Sequence, residues 1–338
     1  MAADRVTSLD VARAAGVSQS AVSRVYTPGA SVSPATAAKV RDAAARLGYR
    51  PNVLARSLIT GRSRIIGLVV AYLENQFYPG VLEKLSNALQ ARGFHVMIFM
   101  AGQGEDAERV LDELLDYQVD GIVAASVTLS SGFAARCEGL GVPVVLFNRV
   151  QDDPRLSAVA SDNRAGGALA AQALVRAGGT RFAYIAGLRG SSTQRDREAG
   201  LRSFLAAGGL ALHARADADY DPAAAARAAR AMFRRPDRPD AVFVANDHMA
   251  FAVMDVLRHD LGLRIPQDVA VVGYDDTPPA AWPSYDLTTV RQPAADMVHE
   301  TVDALLHRIE TPDAPPRRVM LPATLVQRGS AAPQALRP

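Results

Sequence analysis

The sequence has little of what several protein classes require. Among its 338 residues stands one cysteine, Cys137. That excludes an internal disulfide and any zinc site built on several thiolates. Cys137 itself reads as a small residue inside a helix. No run of eighteen apolar residues occurs, so no membrane-spanning helix is expected. Met1 to Asp10 carries no apolar core of a secretory signal. These lacks fit a reducing, bacterial-type cytoplasm. Enzyme signatures are missing too. There is no GxxxxGK[ST] phosphate loop and no G-x-S-x-G elbow. Gly102-Gln103-Gly104 lacks the third glycine of a dinucleotide loop. His248 with His259, and His299 with His307, are not spaced as ligands on one helix face. Nothing in the residues calls for catalysis, a metal or a cofactor.

What is present is charge asymmetry. Residues 1–63 hold nine basic side chains against three acidic ones, a charge of +6. The whole chain carries +2, so the remainder carries −4. A basic segment joined to an acidic body is the electrostatic footprint of a nucleic-acid-binding head.

Three short helices read out before residue 50. Ser8 can cap the first, Leu9 to about Ala15, which Gly16 ends. Ser18 can cap the second, Gln19 to about Tyr26, stopped by Thr27-Pro28-Gly29. Ser33 followed by Pro34 is an N-cap with proline in the first turn, and this third helix runs to Leu47 with Gly48 as its stop. Val11, Ala12, Ala15, Val17, Val22 and Val25 form an inner face for two crossed helices. Gln19, Ser20, Ser23 and Arg24 then lie at the start and outer face of the second helix. That is where a recognition helix meets base edges, arginine pairing with guanine and glutamine with adenine. Val53 to Ile59 reads as a short hinge helix that needs a partner to form.

From Ile65 on, short apolar runs alternate with helical segments. Strands are expected at Ile65–Val70, His95–Met100, Gly121–Ala125, Pro143–Phe147, Phe182–Ile185, Ala241–Ala245 and Val269–Gly273, with a return crossing near Leu287–Arg291. Helices are expected at Pro79–Arg92, Ala107–Tyr117, Asn163–Ala177, Arg195–Ala207, Pro222–Phe233, His248–Leu261 and Ala294–Arg308. Two rounds of this alternation predict two α/β lobes with parallel sheets. Residues 311–338 read as mostly irregular.

The helix-turn-helix does not stand alone. VTSLDVARAAGVSQSAVSRV, VSPATAAKVRDAAARLGYRPNVLARSL, TGRSRIIGLVV, VFVANDHMAF, DVAVVGYDDTPPA and LTTVRQP follow in one order. Through them the sequence resembles the lactose-repressor (LacI) family over nearly its whole length. The resemblance implies an all-α helix-turn-helix headpiece plus α/β: two doubly wound parallel-sheet lobes of periplasmic-binding-protein type. The headpiece would take 1–50, a hinge 51–64, and an effector-binding and dimerisation part 65–330. One lobe would take about 65–161 and 292–320, the other about 162–291 and 321–330.

The family's DNA contacts map onto Ser18, Gln19, Ser20, Ser23, Arg24, Asn52, Ala55 and Leu58, with Leu58 as the minor-groove wedge. Its effector contacts map onto Phe77, Tyr78, Asn148, Arg149, Arg197, Tyr220, Asn246 and Asp275. Such groups suit a polyhydroxylated ligand, because hydroxyls need paired donors and acceptors. The residues leave other uses open: Asp247 as a helix cap, Arg197 as a solvated helix arginine, Phe77 and Tyr78 as core, Trp282 at the cleft mouth or on the surface. The resemblance implies a homodimer on a near-palindromic operator, controlled by a small, sugar-like effector. A solute-binding protein without a DNA role is the alternative. The effector, the sign of its action and the operator sequence are not legible.

Overall fold

The computed structural model describes residues 6–27, 29–50, 62–101 and 106–333, of which 106–108 as backbone. Asn52, Ala55 and Leu58 lie outside the described residues. The chain divides into two compact units, Met1–Ser63 and Arg64–Pro338.

The first unit holds three helices: α1 (Ser8–Ala15), α2 (Gln19–Val25) and α3 (Pro34–Leu47). The first cap corrects the sequence reading. Thr7, not Ser8, is the N-cap, and it exchanges hydrogen bonds with Asp10 in a capping box. Asp10 can return a bond to the Thr7 amide at 2.9 Å, an exchange for which Ser8 has no acidic partner three residues on. Ser18 and Ser33 cap α2 and α3. Gly16 and Gly48 close α1 and α3 with φ of 66°, a left-handed turn that suits glycine. Val11, Ala12, Val22, Val40, Ala43 and Ala44 form the core of this unit. Tyr26 and Tyr49 close it from the side, their rings 6.2 Å apart.

The second unit has two six-stranded sheets. In chain order the elements are β1 (Ile65–Val70), α4 (Phe77–Ala91), β2 (His95–Met100), α5 (Asp106–Asp116), β3 (Gly121–Ala125), α6 (Ser131–Gly139), β4 (Val144–Phe147) and β5 (Ser157–Ser161). There follow α7 (Asn163–Arg176), β6 (Phe182–Ala186), α8 (Ser192–Ala207), β7 (Leu212–Asp217), α9 (Pro222–Phe233), β8 (Ala241–Val244) and α10 (Asp247–Asp255). Last come β9 (Ala270–Asp275), β10 (Thr288–Arg291), α11 (Ala294–Glu310), β11 (Arg318–Leu321) and β12 (Thr324–Val326).

Lobe 1 orders its strands β2-β1-β3-β4-β5-β11, all parallel. Lobe 2 orders them β7-β6-β8-β9-β10-β12, with only β12 antiparallel. The central strands are apolar along their length because helices cover both faces. The chain passes between lobes after β5, after β10 and after β11.

Two departures from the sequence reading have local causes. Residues 311–333 are mostly irregular, as expected, but they also supply two short edge strands that the sequence reading did not place, β11 and β12. Both are half-exposed and lack the apolar run that marks a central strand. The helix expected to run from His248 to Leu261 turns to π geometry over Val256–Asp260.

Candidate functional site

On α2, Ser18, Gln19, Ser20, Ser23 and Arg24 are all exposed, while Val22 behind them is buried. The Ser18 hydroxyl accepts from the Ala21 amide and lies 2.9 Å from the Ser20 hydroxyl. The Gln19 amide donates to Ser8 Oγ at 3.0 Å, which ties α2 to α1. Arg24 Nε donates back to the Ser20 carbonyl at 3.4 Å and enters no ion pair among the described residues. The helix thus presents a polar, cationic face with its apolar side anchored. Such a face can meet phosphates and base edges.

The second site lies between the lobes, at the carboxyl ends of both sets of strands. Its lining is Tyr72, Asn75, Tyr78, Ser126 and Asn148 from lobe 1, and Thr193, Arg197, Tyr220, Asn246 and Asp275 from lobe 2. This is the crevice that parallel sheets offer to ligands. It is nearly closed, with a free cavity of about 10 Å³, room for about one water molecule. Four of these residues hold left-handed backbone: Ser126 (φ 58°), Asn148 (68°), Tyr220 (63°) and Asp275 (121°). Each such residue costs about 1–3 kcal/mol. They turn the chain sharply off strand ends so that side chains converge.

Asp275 is the hub. Its carboxylate accepts from Asn75 across the cleft at 2.9 Å and from Gln292 at 2.7 Å. Arg197 stands 3.8 Å away, and both side chains are buried. Arg197 donates to Asn163 Oδ1 at 2.8 Å and to the Ala245 carbonyl at 2.6 Å, and lies 3.5 Å over the Tyr274 ring. It reaches this place because α7 and α8 touch. A Cβ on Gly167 would run into the Arg197 carbonyl, and one on Gly200 into the Arg164 carbonyl. Glycines at the contact therefore set where Arg197 sits.

Burial raises Asp275 above the usual carboxylate range; Arg197 and the two amide donors oppose it. Behind it, burial and the charge of Asp275 push Asp247 up to about 8. Asp247 does begin α10, but its side chain faces inward. It accepts from the Thr277 amide at 2.8 Å and the Thr289 hydroxyl at 2.6 Å. Burial also raises the phenols of Tyr72 and Tyr78, so they serve as neutral hydrogen-bonding groups. Tyr78 bonds the Ser126 hydroxyl and accepts from Asn148 Nδ2 at 3.0 Å. Tyr220 and Thr193 share a bond of 3.0 Å.

Two amide atoms in this lining are buried without a partner among the described residues: Asn148 Oδ1 and Asn246 Nδ2. The other halves of both amides are engaged, Asn148 Nδ2 with Tyr78 and Asn246 Oδ1 as the cap of α10. An orphaned buried polar atom costs about 1–3 kcal/mol. One is an acceptor and one a donor, and both belong to the lining that also holds Asp275 and Arg197.

Of the eight effector positions expected from the sequence, six line the cleft: Tyr78, Asn148, Arg197, Tyr220, Asn246 and Asp275. Phe77 does not. Its ring packs on Phe147 in the lobe 1 core, because α4 turns the residue before Tyr78 inward. Arg149 also stands off the lining, with Nη1 on Thr128 at 3.4 Å. Trp282 is on the surface, 54% exposed. Sequence reasoning missed Tyr72, Asn75, Ser126 and Thr193. Tyr72, Asn75 and Ser126 follow strand ends, and position after a strand was the available signal; Thr193 sits in the first turn of α8.

Residues 7–52 match the family described as bacterial regulatory proteins, lacI family, and 171–331 a periplasmic binding protein-like domain. The ribose operon repressor of Escherichia coli (strain K12) is 33% identical over 329 residues, 96% of this chain and 99% of that protein. The chain belongs to the LacI family. The HTH-type transcriptional regulator CelR of Thermobifida fusca is 36% identical over 331 residues, 95% of this chain and 96% of that one. Among solved structures, the Lac repressor dimer bound to operator and the anti-inducer ONPF aligns at a TM-score of 0.87 with 28% identity, over 97% of this chain and 99% of that one. A CelR–cellobiose complex aligns at 0.73 with 34% identity, over 96% and 100%. This LacI-family chain is a DNA-binding transcriptional regulator. The alternative, a solute carrier without a DNA role, is overturned by the headpiece match. Among the described residues no helix is long and apolar enough to cross a membrane.

Proposed function

We propose that the chain is a repressor that binds a two-fold symmetric operator as a homodimer and that a neutral, sugar-like effector in the inter-lobe cleft controls it. One observation carries the effector reading: the unpartnered Asn148 Oδ1 and Asn246 Nδ2 in the same lining as Asp275 and Arg197. Vicinal hydroxyls both donate and accept, so they satisfy this set with no net charge. A ribose operon repressor and a transcriptional regulator solved with cellobiose, both among the relatives, point the same way. The cavity of about 10 Å³ holds no sugar. The effector therefore binds a form whose lobes stand further apart, and that differential affinity is the physical basis of control.

The DNA reading rests on the exposed face of α2, with Gln19, Ser20 and Arg24 toward base edges and Ser18 and Ser23 toward phosphates. Asn52, Ala55 and Leu58 are assigned by family resemblance. The dimer reading is supported by edge strand β2, where Ile98 and Met100 are about half exposed, as is nearby Tyr117. An apolar edge of this kind needs a cover.

Thermal-shift titration of D-ribose, cellobiose and adenosine, repeated with operator DNA, tests the proposal. A sugar should raise the melting temperature and change operator affinity. A response to adenosine alone would overturn the sugar assignment. Leu58→Ala should weaken operator binding and spare nonspecific binding in footprints; unchanged operator affinity would remove the wedge role.

A further inference from the structure

A second cavity lies at the opposite pole of lobe 1 from the effector cleft. It sits against the amino ends of β4, β5 and β11 and has a volume of about 450 Å³. That is within the range of small-molecule sites, roughly 300–1,000 Å³. Part of its wall is apolar: Val144, Leu156 and a proline-rich turn that includes Pro315. Cys137 adds to the wall rather than to reactivity, since burial pushes its thiol up to about 12.

The cavity also holds two guanidinium groups, and they differ. Arg155 is neutralised by Asp153 at 2.6 Å. Arg308 donates one bond, from Nη1 to the Arg155 carbonyl at 3.1 Å. Its Nε is buried and has no partner among the described residues, and it enters no ion pair among them. Glu138 and Asp313 also line the cavity, but both are exposed. Arg308 is half-buried, and its guanidinium, with no carboxylate partner among the described residues, can meet an anion that enters the cavity.

We infer that this cavity is a second small-molecule site, for a small organic acid whose apolar body lies on the proline-rich wall and whose carboxylate meets Arg308. The cleft takes a ligand by neutral hydroxyl pairing; this site takes one by charge and apolar contact.

Binding of phenylacetate, its neutral amide phenylacetamide, and inorganic phosphate to the full chain tests this by ligand-observed NMR. Phenylacetate should bind with a Kd on the order of 1 mM, and the amide about tenfold more weakly. Arg308→Gln should lose about tenfold in phenylacetate affinity, and Arg308→Lys less, because lysine keeps the charge without the planar fork. A cleft variant, Asn246→Ala, should leave phenylacetate binding unchanged. Thermal melts establish that each variant is folded; should Arg308→Gln fail to fold, the acid–amide comparison and Arg308→Lys still decide. Equal binding of acid and amide, loss of binding in Asn246→Ala, or no binding up to about 10 mM would overturn the inference. Phosphate binding as tightly as phenylacetate would overturn the apolar part of it. Equal binding of acid and amide, absence of binding, or tight phosphate binding leaves the sugar assignment of the cleft untouched, whereas loss in Asn246→Ala would move the acid into the cleft.

Discussion

Lobe 1 brings phenols, amides and a hydroxyl to the cleft: Tyr72, Asn75, Tyr78, Ser126 and Asn148. Lobe 2 brings the charges, Arg197 and Asp275, together with Thr193, Tyr220 and Asn246. The strand plans are nearly the same, yet the chemistry is divided. The ion pair is assembled within one lobe, so lobe motion does not make or break it. The neutral groups meet it only when the lobes approach, as Asn75 does in bonding Asp275. A ligand should therefore be anchored by lobe 2 and discriminated by lobe 1.

The strongest challenge to this division is Asp275→Ala. It removes the hub and should cost about 100-fold in effector affinity, read by titration, with operator binding kept. A loss under tenfold would deny lobe 2 the anchoring role. Gly167→Ala comes next. Its added methyl meets the Arg197 carbonyl at the α7–α8 contact, and overpacking there should destabilise the fold by about 3 kcal/mol in urea unfolding. A neutral outcome would mean that α8 can shift, and that Arg197 is not held where the glycines place it.

Asn148→Ala tests lobe 1. It removes an acceptor but keeps the ion pair, so effector affinity should fall only about tenfold, with sugar epimers less well distinguished. An effect equal to that of Asp275→Ala would erase the asymmetry. Per pH unit, the gentlest effect is a pH dependence that lobe 2 should carry. Folded Asp247 holds its proton up to about pH 8. The unfolded chain gives it up near pH 4. That contribution to stability is full below about pH 4, declines as pH rises, and is gone by about pH 8, at no more than about 1.4 kcal/mol per pH unit. Asp247→Asn should flatten the slope in denaturant titrations from pH 5 to 8. A slope that survives the substitution belongs to another group.

Much of this was legible in the residues. The three headpiece helices follow from caps and glycine stops at Ser18, Ser33, Gly16 and Gly48. Central strands such as β3 follow from short apolar runs between turns. The edge strands β11 and β12 did not read out, because they are half-exposed and their pairing partners are distant in sequence, whereas edge strand β2 keeps an apolar run and did. Phe77 and Tyr78 show the limit for site residues. Adjacent aromatics on one helix point in different directions, and only packing decides which meets the cleft. Asn75 and Gln292 were silent for a related reason. Each matters through Asp275, which lies 200 residues from Asn75 and 17 from Gln292.

The path of the chain bears on how such proteins can be recombined. The DNA-reading unit is separated from the rest at one junction, after Ser63. The lobes are threaded through each other by three crossings, after β5, β10 and β11. A single splice can therefore graft this reader onto another sensor. Exchanging one lobe requires three splices in register. New operators can be acquired by swapping a cassette, whereas new effectors must be reached by substitution within the cleft.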